Sequence, residues 1–98
     1  MLTALERAKG AEVIAAVAKQ VGVTVADITG PSRLRRDTYA RQLTTYLLRK
    51  KGWTFAEITS ELHRQLATSA YSIRKIERAI DGGLNPEMEA DVKALIDA

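Results

Sequence analysis

The chain has 98 residues, 46% of them hydrophobic, with two prolines, six glycines and no cysteine. That length fits a single domain over residues 1–98, the apolar content argues against intrinsic disorder, and the lack of cysteine excludes disulfides and thiolate metal centres and fits a cytoplasmic setting. No run of about 18 apolar residues exists to span a membrane, and the charged start MLTALERAK lacks the apolar region of a signal peptide.

The net charge of +3 conceals a segregation. Residues 1–32 balance to zero, residues 33–78 carry eleven cations against four acids, and residues 79–98 carry one cation against five acids. A basic block of that density is the electrostatic footprint of a surface that meets a polyanion.

In chain order, helical signals recur and strand signals are absent, so the expected fold is all-α, a compact bundle of five to six helices. Thr3 and Glu6 form a capping box, Val13, Ile14, Val17 and Val21 give an apolar stripe, and Gly22 ends the helix. Thr24 and Asp27 bracket a short turn of helix, and Thr29-Gly30-Pro31-Ser32 breaks the chain. The break leads into a basic loop, Arg33-Leu34-Arg35-Arg36. Asp37 or Thr38 is then expected to cap a helix over about 38–51. Tyr39, Leu43, Tyr46 and Leu47 form its core stripe, and Leu48, off that stripe, marks a helix contacted from two sides. Arg41, Thr45 and Arg49 share a further face at four-residue spacing, suited to following a phosphate backbone. Gly52 stops this helix, with Trp53 as a plug at the junction.

Thr54 and Glu57 open a short helix (54–63) with Phe55, Ile58 and Leu62 inward. A tight region follows, then a longer helix over about 66–80. This pair is a helix-turn-helix candidate. Ser69, Ile73, Ile76 and Ile80 fall on one side of the second helix, and Arg64, Thr68, Tyr71, Lys75 and Arg78 on the other. That outer face mixes hydroxyls, an aromatic ring and cations, the chemistry that reads base edges and meets phosphates in a major groove. Asn85 and Pro86 start a final acidic helix over about 86–97, whose apolar face is Met88, Val92, Leu95 and Ile96.

Residues of about 12–80 resemble the C-terminal DNA-binding domain of the bacterial replication initiator DnaA. The resemblance rests on Val17-Ala18, Val25-Ala26-Asp27-Ile28, Arg33 and Arg36, Ala40-Arg41-Gln42, Tyr46-Leu47-Leu48-Arg49, Glu57-Ile58 and Arg74-Lys75-Ile76-Glu77, in order and at nearly unchanged spacing. It implies a helix-turn-helix of the Trp-repressor type. It also implies that Arg33 sits in a minor groove, whose narrow A·T stretches attract cations, and that Arg41 and Arg49 meet the DNA backbone. The family reads Gly-Arg-Asp-His-[Ser/Thr]-Thr-Val where this chain has His63-Arg64-Gln65-Leu66-Ala67-Thr68-Ser69. Gln65 and Leu66 in place of Asp and His imply a changed base preference.

Catalysis is not expected. His63 is the only histidine, no serine has an evident histidine–carboxylate pairing, and Glu57 and Glu61 read as a helix-surface pair. No phosphate-binding Gly-x-x-x-x-Gly-Lys-[Ser/Thr] loop and no metal or cofactor motif is present. The favoured reading is a small, stand-alone, sequence-specific double-stranded DNA-binding protein of the cytoplasm and nucleoid, a transcriptional regulator. Domains resembling this family occur in regulators of phage-like and gene-transfer-agent elements. Its DNA-binding residues are Arg33, Arg35, Arg36, Arg41, Arg49, Arg64, Gln65, Leu66, Thr68, Tyr71, Lys75 and Arg78. Two alternatives stand beside it. One is a replication-linked regulator that binds origin DNA or the initiator. The other is a protein-interaction module without DNA binding, with the acidic last helix as docking surface.

Overall fold

The computed structural model describes residues 3–63 and 66–96, and along 66–72 the backbone alone. Six helices follow in order: α1 (Ala4–Val21), α2 (Val25–Thr29), α3 (Arg35–Lys50), α4 (Phe55–Glu61), α5 (Leu66–Asp81) and α6 (Pro86–Leu95). No strand occurs among the described residues, so the fold is the expected all-α bundle.

Helix α3 is the axis of the bundle. Every other helix packs against it. Ala40, Leu43, Tyr46, Leu47 and Leu48 are all buried, which is why Leu48, off the main stripe, is apolar too. A helix covered on most sides must also bury polar groups, and each needs a hydrogen-bond partner. Thr44 donates to the Ala40 carbonyl at 2.9 Å and Thr45 to the Arg41 carbonyl at 2.8 Å, so both hydroxyls are satisfied within the helix itself.

The helix ends follow the sequence closely. Thr3, Thr24, Thr54 and Asn85 each accept from a backbone N–H in the first turn. Full reciprocal capping boxes form at Thr24 with Asp27 and at Thr54 with Glu57. Gly22 ends α1 at φ 86°, a left-handed conformation that favours glycine.

Trp53 is 6% exposed and fills the junction as expected. Its indole lies against Gly10, where an added Cβ would stand 2.4 Å from Trp53 Cη2. Gly10 is therefore a packing residue in the middle of a helix, where glycine alone would lower stability by roughly 0.5–1 kcal/mol relative to alanine.

Helix α6 closes the bundle against α1, α3 and α5. Met88, Val92 and Leu95 are buried, whereas Ile96 is 50% exposed and caps the helix rather than extending its apolar face. Asp91 fastens α6 laterally. It accepts from Gln20 of α1 at 3.2 Å and from the Tyr39 hydroxyl of α3. Burial, with this hydrogen bond and the negative charges of Asp91 and Glu87, holds the Tyr39 phenol well above its ordinary range.

Candidate nucleic-acid interface

The basic loop differs from its expected form in one instructive way. Arg35 and Arg36 are not loop residues but the first turn of α3, whose N-cap is Leu34. Asp37 does not cap. It is buried inside the first turn, where Ser32 Oγ donates to it at 2.6 Å. The same Ser32 oxygen accepts from the Leu34 amide at 3.3 Å. Ser32 thus performs from outside the helix the bridging that the sequence assigned to a cap.

Arg41 also departs from expectation. It does not project outward as a phosphate contact along a shared face with Thr45 and Arg49. Its Nε donates to the Ile28 carbonyl at 2.8 Å. Its Nη2 lies within hydrogen-bond distance of three further carbonyls, those of Asp27 at 3.0 Å, Gly30 at 3.2 Å and Ser32 at 3.1 Å. The cause is local. The end of α2 and the Gly-Pro break leave carbonyl oxygens without helical partners, and a guanidinium is the side chain whose fixed fork can serve several at once. Thr45 between the two arginines is buried, so this face offers no continuous cationic track.

Arg49 is likewise engaged. Its Nη1 donates to the Trp53 carbonyl at 3.0 Å, and its guanidinium lies 4.5 Å from the Phe55 ring centroid. Its Nε stands 3.8 Å from Glu77 Oε1, which ties α3 to α5. Arg74 lies over the same Phe55 ring at 5.4 Å. Sequence reading missed the Phe55–Arg74 contact, since a ring on one helix and a cation on another share no spacing rule.

The helix-turn-helix lies where expected. Helix α4 ends at Glu61, Leu62 is buried at the corner, and His63 turns the chain at φ 55°. His63 is exposed, at the turn. On α5, Ile73, Ile76 and Ile80 are buried, while Arg74, Lys75 and Arg78 are exposed. The remaining expected reading residues, Arg64, Gln65 and the side chains of Leu66, Thr68 and Tyr71, lie outside the described residues.

The cations therefore sort into two groups. Arg33, Arg35, Arg36, Lys75 and Arg78 are exposed, and their side chains make no hydrogen bond or ion pair with any described residue. Arg41, Arg49 and Lys50 are spent on the fold. Lys50 pairs with Asp81 at 3.1 Å and lies over the Tyr46 ring at 5.2 Å. Asp81 also accepts from the Tyr46 hydroxyl at 2.7 Å. These two hydrogen bonds, from Tyr46 first and Lys50 second, hold its carboxyl below the usual range.

An all-helical bundle built round a central helix, with a short helix followed after four residues by a longer one bearing outward cations, fits the helix-turn-helix class. The family model described as the bacterial DnaA protein helix-turn-helix matches residues 11–76, and the chain belongs to that family. Family membership makes this a DNA-binding helix-turn-helix domain. No curated protein matches the chain. Helix α6 and the last turn of α5 fall beyond the matched segment.

Proposed function

We propose that the protein is a sequence-specific reader of double-stranded DNA that acts as a transcriptional regulator, on the pattern of those serving phage-like or gene-transfer-agent elements. The supporting observation is the placement of Arg35 and Arg36 in the first turn of α3, exposed and in no ion pair with a described residue, in a cleft whose acids, Glu87 and Asp91, stand across from them. A helix N-terminus carries partial positive charge, so cations there oppose the macrodipole and cost stability. Acids are the favoured residues at that end. Two arginines at that end suit a phosphate arriving from outside, since backbone N–H groups, dipole and guanidinium groups then act together.

In this reading Arg33 enters a minor groove, Arg35 and Arg36 hold the flanking phosphates, and the outer face of α5 lies in the adjacent major groove. Arg64, Gln65, Leu66, Thr68 and Tyr71 meet base edges there, and Lys75 and Arg78 meet phosphates. Arg41 serves by fixing the segment that carries Arg33. Gln65 and Leu66 give the chain a site different from that of the replication initiator. An amide pairs naturally with adenine and an aliphatic side chain with a thymine methyl.

The test is a selection of bound duplexes from random sequence, followed by titration across salt concentrations. An enriched motif is expected. Five DNA-facing cations, Arg33 in the groove and four at phosphates, would give a log–log slope of roughly −4.5. Binding indifferent to sequence, or absent, would overturn the reading.

A further inference from the structure

Leu34 is the N-cap residue of α3, and its side chain stands outside the core. It is 71% exposed, yet it stands among cations, with Arg33 before it and Arg35 and Arg36 after it. The other large exposed apolar residues, Leu5, Val25, Leu84 and Ile96, have no such surroundings. An exposed apolar side chain that follows an exposed arginine directly in the chain suits a surface that is itself apolar within a negatively charged rim.

The backbone around Leu34 is held from both sides. Its amide donates to Ser32 Oγ at 3.3 Å and its carbonyl accepts from the Thr38 amide at 2.9 Å. The Ser32 carbonyl, two residues earlier, accepts from Arg41. The side chain is thus displayed from a fixed point, so little order remains to be gained on binding.

A DNA minor groove has the matching chemistry: phosphates along its edges and apolar sugar faces within, and leucine is among the apolar side chains that enter it in minor-groove complexes. We infer that Leu34 packs in the minor groove beside the base pair met by Arg33, and selects A·T pairs by leaving no room for the exocyclic amine that G·C pairs place there. The inference rests on the DNA-reading function proposed above and adds a contact to it. Arg33 supplies attraction to the groove; Leu34 supplies exclusion within it.

The experiment compares the parent chain with Leu34→Ala on the duplex selected for the parent. A second duplex carries diaminopurine for adenine at the A·T pairs, which adds the amine to the minor groove. Because Leu34 is exposed, L34A should melt as the parent does. It should bind the A·T duplex about tenfold more weakly, as expected for losing part of a buried leucine's apolar contact. Its salt slope should be unchanged, whereas Arg33→Ala should flatten the slope by about 0.9. L34A should also show a reduced penalty for the added amine. An L34A chain that binds as the parent does, or that keeps the parent's penalty in full, overturns the inference. A parent chain that selects no duplex at all overturns instead the function on which it rests.

Discussion

Arg33 and Arg41 are eight residues apart and of the same type, and their sequence context alone assigns both to one DNA-binding surface. The fold gives them opposite settings. Arg33 is exposed, while Arg41 turns inward onto the carbonyls of Asp27, Ile28, Gly30 and Ser32. Arg49 repeats the inward pattern with the Trp53 carbonyl and the Phe55 ring. The difference teaches that a basic block is not a uniform interface. Part of the charge builds the frame, and part is left for the ligand. A cation near unpaired backbone carbonyls belongs to the first group, and one at a helix N-terminus or on an outer face belongs to the second.

The contrast is most sharply tested at Arg41. Arg41→Ala strands several carbonyls that now share a charged donor, and hydrogen bonds to charged groups contribute about 1.5–3 kcal/mol each. A loss of about 3 kcal/mol in the urea unfolding midpoint analysis is expected, with DNA affinity falling alongside it. An Arg41 variant as stable as the parent would return this residue to the outward group.

Arg49→Ala should cost less, about 1–2 kcal/mol, because the residue is more open and contributes one carbonyl hydrogen bond and one cation–π contact. Trp53 fluorescence should report the loosened junction, since Arg49 holds the Trp53 carbonyl.

Arg35→Ala and Arg36→Ala should separate stability from binding altogether. Each removes a cation that opposes the α3 dipole, so thermal stability should hold or rise by about 0.3–0.5 kcal/mol. Each should also weaken DNA binding and flatten the salt slope by about 0.9. Loss of stability in either variant would place that arginine with the inward group.

The smallest expected effect is the pH response of the exposed Asp81 junction, where Lys50 is held by the fold. The folded-state pKa of Asp81 lies below its ordinary value. The unfolded chain therefore takes up the proton first as pH falls, and the stabilisation is complete at neutral pH. It is lost as pH drops from the ordinary carboxylate range through the folded value. Asp81→Asn should remove that part of the acid dependence, read from urea midpoints between neutral and acidic pH. Tyr39 and Tyr46, both raised, act in the opposite direction. Their contributions are complete below the ordinary phenol pKa and fade only in strong alkali.

Much of the fold was legible because its signals are local. Capping boxes, a terminating glycine and the 3.6-residue period each need only neighbouring residues, so Thr24–Asp27, Thr54–Glu57, Gly22 and the Ile73–Ile76–Ile80 stripe read correctly. The α3 N-terminus misled because its bridging partner, Ser32, sits outside the helix and because Asp37 is a plausible cap by residue type. Spacing alone predicts a last helix that runs nearer the terminus, with Ile96 on its apolar face. The amphipathic spacing is satisfied there, but no helix packs over that position.

The sequence by itself determined that this chain forms an all-helical bundle with a helix-turn-helix and a segregated charge, because periodicity, caps and composition are properties of the chain. Only the tertiary structure decided which cations face outward. That choice depends on where unpaired carbonyls, aromatic rings and acids from distant segments come together, as the end of α2 meets Arg41 and Glu77 meets Arg49. A charge is drawn inward only where the fold assembles partners that outweigh its loss of water, and no local pattern in the sequence records that assembly.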